Sequence, residues 1–158
     1  MTTSAAGLFG NFGQANYGAA KMAVVGLMNM LAIEGRKNNI LVNTLAPMAA
    51  TRMTEDVMPA ELLAASRPEQ VTPGALFLVS ENAPTKLILG AGAGVFSAVR
   101  MEETAPVYIG NDELSPEAIE AHLEQITDWS SAVPRDDANQ QVKVFIDTAL
   151  QAIKAQLA

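Results

Sequence analysis

A long helical pattern between two short apolar runs is the feature that most limits how this chain can fold. The helix is predicted over residues 14–37, and its apolar residues recur with a period near 3.6: Ala19, Ala20, Ala23, Val24, Leu27, Met28, Leu31 and Ile33. Residues 1–4 before it are typical of a strand end. Residues 40–45 after it are typical of a buried parallel strand that Pro47 stops. The order strand, helix, strand predicts a right-handed crossover in an α/β domain.

Glycines mark two breaks in this pattern. A loop is predicted over residues 5–13, where the backbone can turn sharply at Gly7, Gly10 and Gly13. Because no Gly-Lys-Ser/Thr follows, a phosphate-binding loop is disfavoured there. The pattern of residues 86–91 indicates a strand, which we expect to be the last one in the chain. The glycines at 90, 92 and 94 lack the spacing of a dinucleotide fingerprint, so we interpret them as a bend or a close-packing site.

Helix-start signals predict three further helices. Thr72, followed by Pro73, predicts the cap of a helix that ends near residue 80. Ser115 predicts the cap of a helix over residues 116–126. The last helix, over residues 138–157, is predicted to be amphipathic, with one apolar side: Val142, Phe145, Ile146, Leu150 and Ile153. Residues 51–66 show no clear period and predict short helices or a mobile flap.

Composition limits the classes of function that need to be considered. The 158 residues include no cysteine, which excludes disulfides, thiolate metal sites and a cysteine nucleophile. The net charge of -7 and the scattered Lys and Arg residues argue against nucleic-acid binding. His122 is the only histidine and lies on an amphipathic helix, so Ser-His-Asp chemistry and a metal site are disfavoured. No apolar run approaches the roughly 20 residues of a membrane span, and no signal peptide is recognised.

Tyr17 and Lys21 lie four residues apart on the predicted helix, behind Ser4 in a glycine-rich turn. The spacing places the phenol and the ammonium on one helix face. A phenol with a pKa of about 10 transfers protons poorly at neutral pH unless its anion is stabilised, and an ammonium one turn away stabilises it. Most Tyr–Lys pairs at this spacing merely share a helix face. The turn before this pair and the strand after it make a proton-transfer site the better interpretation.

The runs Ser4-Ala-Ala-Gly and Gly13-Gln-Ala-Asn-Tyr17-Gly-Ala-Ala-Lys21 resemble the short-chain dehydrogenase/reductase family, whose active-site serine lies thirteen positions before its tyrosine, as here. The resemblance implies an α/β fold, the C-terminal half of a Rossmann-like doubly wound parallel sheet. It also implies a partial catalytic domain in residues 1–110, without the cofactor-binding front half, and an α-helical C-terminal extension in residues 111–158.

The resemblance also implies a role for each site residue. Tyr17 would be the general acid or base for the hydroxyl proton, and Ser4 would hydrogen-bond the same oxygen. Lys21 would stabilise the phenolate and bind the ribose hydroxyls of the nicotinamide cofactor. Tyr17, Pro47 and Thr51 would bind this cofactor as well. The cofactor is NAD or NADP, with NAD favoured. No metal ligand is implied.

Longer motifs narrow the resemblance. The runs that start at Gly10, Leu31 and Gly90 look like the (3R)-hydroxyacyl-CoA dehydrogenase domain of multifunctional β-oxidation enzymes. This implies that a hydroxyl and a carbonyl are interconverted on a 3-hydroxyacyl-CoA thioester. The motif after Pro47 carries Met where the family usually has Gly. Three methionines either line an acyl pocket or pack within their loop: Met48, Met53 and Met58.

Two other functions stay open at this point. The front half of the family, which holds the cofactor pyrophosphate, is not in this sequence, so the isolated chain is expected to be inactive or weakly active. A non-catalytic half-domain could instead serve as a dimerisation module, because the family's tyrosine-bearing helix, here residues 14–37, packs against its twin in a homodimer. A decayed α/β domain is the third possibility. The expected compartment is the cytoplasm; the resemblance allows the peroxisome, although the C-terminus is not a peroxisomal signal.

Overall fold

The chain forms two compact units, Met1–Arg100 and Met101–Ala158, in a computed structural model that describes residues 1–51 and 59–157. The first unit combines helices with a sheet, and the predicted α/β class is confirmed. The second unit is mainly helical. The expected boundary at residue 110, between a catalytic domain and an extension, stays a prediction.

Three strands form the sheet of the first unit. β1 (Thr44–Met48) pairs in parallel with β2 (Ile88–Gly92), and β2 pairs antiparallel with β3 (Val95–Val99). The prediction of residues 86–91 as the last strand is therefore wrong, because β3 follows. Ala93 and Gly94 make the turn between them, both with positive φ (49° and 75°), as tight hairpins require.

The first residues of the chain extend this sheet on the other side of β1. Thr2 forms a parallel bridge with Leu45. The Thr3 N–H donates to the Leu45 carbonyl oxygen at 2.8 Å, and the Leu45 N–H donates to the Met1 carbonyl oxygen at 2.9 Å. The strand end predicted at residues 1–4 is thus present, and the sequence pattern of strand, helix, strand corresponds to a parallel crossover.

Pro47 lies inside β1 and does not stop the strand, so the strand predicted over residues 40–45 was placed too early. The N–H groups of a strand alternate in direction: that of Thr44 faces β2, and that of Leu45 faces the first residues of the chain. The nitrogen of Pro47 therefore faces the side where the chain has already left the sheet after Thr3. A missing N–H at that position removes no ladder hydrogen bond.

Two helices precede β1. α1 (Ala5–Phe9) replaces the first part of the loop predicted over residues 5–13, because Ser4 caps it and Gly7 is helical. Gly10 and Gly13 adopt positive φ, 82° and 77°, and form the turn that follows. α2 (Ala15–Gly35) confirms the long helix, which continues as a short 3-10 turn over Arg36–Asn38.

The core of the first unit lies where α2 meets the sheet, and it contains Val25, Met28 and Ile88. Ala32 and Gly35 extend the buried face of α2 by two further turns. The predicted apolar stripe is largely wrong: Met28 is buried and Val24 is half-buried, but the other six members are exposed, and these include Leu27, Leu31 and Ile33. Apolar residues therefore surround α2 on all sides.

Between β1 and β2, the described residues form two shorter α-helices. α3 (Ala60–Ala65) agrees with the short helices predicted within residues 51–66, whereas residues 52–58 of that segment lie outside the described residues. α4 (Thr72–Leu78) begins one residue earlier than predicted, because Val71 is its N-cap and Thr72 its first residue. Pro73 lies in the first turn, as expected.

The second unit contains α5 (Pro116–Ala121), α6 (Leu123–Ile126) and α7 (Ala138–Gln156). The Ser115 hydroxyl oxygen accepts from the Ala118 N–H at 3.1 Å, which confirms the predicted cap. The helix predicted over residues 116–126 is interrupted at His122. The predicted apolar side of α7 is exposed. No helix within the described ranges is long and apolar enough to cross a membrane.

Glu103 joins separate segments of the second unit. Its backbone forms an antiparallel bridge with Val133, and its carboxylate accepts hydrogen bonds from Gln141 and, at 2.8 Å, from the Arg135 guanidinium. These bonds, with that of Gln141 the largest, lower the pKa of Glu103 below its usual value of 4.5. The carboxylate therefore stays ionised and linked to the start of α7 at neutral pH.

Candidate active site

Ser4 lies where the first strand segment gives way to α1. Its side-chain oxygen accepts from the Ala6 N–H at 3.3 Å and caps the helix. The parallel bridge of Thr2 with Leu45 sets Ser4 level with Pro47, at the carboxyl end of β1, where open α/β sheets bind their ligands. A hydroxyl that accepts a hydrogen bond keeps its own O–H to donate. Ser4 can therefore donate to a ligand oxygen at this edge.

Tyr17 and Lys21 lie in the first two turns of α2, and the structure brings their side chains together. The Lys21 Nζ is 5.6 Å from the centroid of the Tyr17 ring, which is within the range of a cation–π contact. Tyr17 is 41% exposed, and its hydroxyl has no hydrogen-bond partner among residues 1–51 and 59–157. The phenol is thus accessible to a ligand, with a cation beside its ring. Its catalytic role stays a prediction.

Lys21 is bonded at both ends to the residues just before Ser4. Its Nζ donates to the Thr2 carbonyl oxygen at 3.2 Å, and its own carbonyl oxygen accepts from the Thr3 hydroxyl at 2.6 Å. An ammonium has three N–H groups, so two remain for a ligand. Sequence reasoning missed Thr3. Its position directly before Ser4, on the opposite side of an extended segment, was the only local signal.

Glycines allow α1 and α2 to lie in direct contact. A Cβ added to Gly7 would lie 2.8 Å from the Cβ of Lys21 and 2.9 Å from the backbone nitrogen of Met22. A Cβ added to Gly18 would lie 3.1 Å from the Ala6 carbonyl oxygen. Gly7 therefore serves helix packing and not the turn that the sequence predicted. The contact holds α1, with its capping serine, against the helix that bears the phenol and the ammonium.

Besides Tyr17 and Lys21, the two other residues expected to bind a cofactor lie at the same end of β1. Pro47 is within the strand, and Thr51 follows Met48, the last strand residue. A Cβ on Gly92, across from Met48, would lie 2.6 Å from the Met48 carbonyl oxygen, which confirms close packing at this glycine. Met48 is exposed, and the other methionines of the suggested acyl pocket, Met53 and Met58, lie outside the described residues.

The chemistry that this edge offers is that of a hydroxyl donor, a phenol and an ammonium. Such a set can position a ligand oxygen and exchange one proton with it. In the described part of the chain, no three His, Cys, Asp or Glu residues are grouped so that they could hold a metal ion.

Known proteins resemble this chain along most of its length. Residues 1–62 match the family model described as short chain dehydrogenase. Peroxisomal multifunctional enzyme type 2 of Mus musculus is 49% identical over 135 residues, which cover 84% of this chain and 18% of that protein. Peroxisomal hydratase-dehydrogenase-epimerase of Neurospora crassa is 48% identical over 133 residues, which cover 82% of this chain and 15% of that protein.

The fold is shared with a solved structure. Full-length peroxisomal multifunctional enzyme type 2 from Drosophila melanogaster superposes with a TM-score of 0.83 and 28% sequence identity. The match covers 96% of this chain and 28% of that one. The chain thus spans less than a third of the length of each of these three proteins.

The substitution Gly7→Ala is expected to lower the free energy of unfolding by ~1–3 kcal/mol, because the added methyl group pushes α1 away from Lys21. Gly26→Ala is the matched control: its Cβ meets nothing within 4 Å, and a helical Gly-to-Ala change stabilises by up to ~1 kcal/mol. Urea denaturation measures both. Equal effects of the two substitutions would show that the α1–α2 contact does not depend on glycine.

Proposed function

The chain belongs to the short-chain dehydrogenase family, and from that premise we propose that it is the catalytic part of an oxidoreductase that interconverts a hydroxyl and a carbonyl through Ser4, Tyr17 and Lys21. The observation that carries the proposal is the contact of the Lys21 ammonium with the Tyr17 ring, on a helix bonded to the residues just before Ser4. The ammonium and the phenol are thereby held near the carboxyl end of the sheet.

In the reducing direction, Tyr17 gives its proton to the carbonyl oxygen of the substrate, and in the oxidising direction it takes the proton back. Ser4 donates a hydrogen bond to the same oxygen, which stabilises the negative charge that develops there. Lys21 stabilises the phenolate that forms when the proton leaves, because an opposite charge one helical turn away favours the ionised form. Ser4 and Tyr17 thus act on one substrate oxygen, and Lys21 acts on Tyr17.

The residues at this edge fit a nicotinamide cofactor, which supplies or accepts hydride when it is bound. Lys21 keeps two N–H donors beyond its bond to Thr2, and these suit the hydroxyls of a ribose. Pro47 and Thr51 would bind the nicotinamide end beyond β1. The family resemblance favours NAD over NADP.

A 3-hydroxyacyl-CoA thioester is the substrate that we propose, on the motifs around Gly10, Leu31 and Gly90. The Neurospora relative, whose name includes hydratase, dehydrogenase and epimerase, supports the same class of chemistry. All three relatives named above are called peroxisomal. A cytoplasmic location of this chain stays a prediction.

Tyr17→Phe is expected to lower kcat by about 10²- to 10⁴-fold, the usual contribution of a positioned acid or base. The test uses a chimera in which the segment that precedes the matched region in the mouse relative is joined to residue 1. Reduction of acetoacetyl-CoA with NADH, and with NADPH in parallel, is followed by cofactor fluorescence. The isolated chain is assayed beside it and is expected to be inactive or nearly so.

Tyr108→Phe is the matched control, since the chain contains two tyrosines and Tyr108 lies in the second unit. It should leave turnover unchanged. A folded chimera that reduces no substrate, or a Tyr17→Phe variant that keeps its full rate, would contradict the proposed function.

We further propose that the chain associates as a homodimer through α2, the helix that the sequence predicts over residues 14–37. Apolar residues surround this helix, and Leu27 and Met30 are 51% and 56% exposed on the sides that the core does not cover. A helix that is apolar on all sides is normally buried on all sides. A second copy of α2 would cover it in a symmetric interface. The same observation supports the alternative function, a non-catalytic association module.

Leu27→Glu is expected to weaken dimerisation by ~100-fold or more, because symmetry places two carboxylates in one apolar interface. Analytical ultracentrifugation across a concentration series measures the dissociation constant. Val79→Glu, at a position that is 81% exposed on the segment after α4, is the matched control and should have no effect. A wild-type chain that stays monomeric throughout, or equal effects of both variants, would rule out this interface.

A further inference from the structure

We infer that Thr3 is a positioning residue: its hydroxyl holds the Lys21 turn of α2 at a fixed place relative to Ser4. The catalytic meaning of this inference rests on the proposed function, but the geometry is independent of it. The Thr3 hydroxyl donates to the Lys21 carbonyl oxygen at 2.6 Å, across eighteen residues of sequence. Thr3 is 1% exposed, so water cannot replace this bond.

This hydrogen bond is not needed to form the helix. Inside an α-helix, the Lys21 carbonyl accepts from the amide four residues later, that of Val25. A carbonyl oxygen has a second lone pair, and the Thr3 hydroxyl uses it. The bond therefore adds little to the helicity of α2. It determines where α2 lies against the strand segment.

The backbone of Thr3 is itself fixed in the sheet. Its N–H donates to the Leu45 carbonyl oxygen at 2.8 Å, so the residue joins β1 through its main chain and α2 through its side chain. Ser4 follows it directly. The position of the Ser4 hydroxyl relative to Lys21 therefore depends on a path of one peptide unit and one hydrogen bond.

Two further contacts restrict the position of α2 relative to the strand segment. The Lys21 Nζ donates to the Thr2 carbonyl oxygen at 3.2 Å, and Gly7 contacts the Cβ of Lys21 from α1. A shift of α2 by one residue along its axis is about 1.5 Å, which would break both bonds to the strand segment. Misplacement of catalytic groups by about 1 Å costs on the order of 100-fold in rate. The Thr3 hydroxyl thus fixes the position of α2 as accurately as the proposed proton transfer requires.

Thr44 provides a matched control within the same sheet. It is fully buried in β1, as Thr3 is buried beside it, but its hydroxyl has no hydrogen-bond partner in the part of the chain that the structure describes. Thr→Val at either position removes a buried hydroxyl and keeps the shape of the side chain. Only the change at Thr3 removes a bond to α2.

The experiment compares Thr3→Val, Thr3→Ser and Thr44→Val in the 158-residue chain by NMR. The readout is the nuclear Overhauser effect between the Thr2 α-proton and the Lys21 ε-methylene, which reports how α2 lies against the strand segment. Thr3→Val is expected to reduce this signal at least threefold. Thr3→Ser restores the hydroxyl and should give the wild-type signal, and Thr44→Val should leave it unchanged. Thr3→Ala replaces Thr3→Val if the latter does not fold.

The wild-type chain gives a second readout that needs no variant. A Thr3 hydroxyl proton bonded in a buried site exchanges slowly with water and should appear as a resolved signal. If that signal is absent, or if Thr3→Val keeps the wild-type Overhauser effect, Thr3 has no positioning role. A loss of the effect in both valine variants would show general loosening and would also overturn the inference. Failure of the proposed enzyme activity would change none of these signals, so the two hypotheses are tested separately.

Discussion

The parallel pairing of the first three residues with β1 is the constraint on which the rest of the first unit depends. It places Ser4 at the carboxyl end of the sheet and lets α1 start there. Because Gly7 and Gly18 allow α1 to touch α2, the long helix is held against the same segment. Pro47 is tolerated inside β1 only because this segment has ended at its level.

The proposed chemistry depends on the fixed positions of its groups and not on unusually strong interactions. A hydroxyl, a phenol and an ammonium each interact weakly with a ligand in water, and each becomes more effective where its orientation is fixed in advance. Here the fixed parts are buried backbone and Thr3, whereas the phenol itself is exposed toward a ligand. An enzyme site at a sheet edge requires accessible side chains that a fixed, buried backbone supports.

Local patterns predicted local features well. The presence of α2, the Ser115 cap and the helix over Ala138–Gln156 follow from neighbouring residues, and the sequence predicted all three. α1 was missed because Gly7 resembles a turn residue, and its packing role depends on Lys21, fourteen residues later. β3 was missed because its formation depends on pairing with β2 and not on a pattern within its own residues. The spacing of the site residues was visible in the sequence, but the Thr3 bond, which spans eighteen residues, was not.

The central claim is that Ser4 and Tyr17 act on the same oxygen atom, and a kinetic double-mutant cycle tests it most directly. The four proteins are the chimera, its Ser4→Ala and Tyr17→Phe variants, and the double variant, each assayed for kcat on acetoacetyl-CoA. Residues that act as one unit have strongly non-additive effects. If both side chains act on that atom, the double variant is expected to be about as slow as the slower single variant. If the two losses multiply, the residues act independently, and the single shared site does not exist.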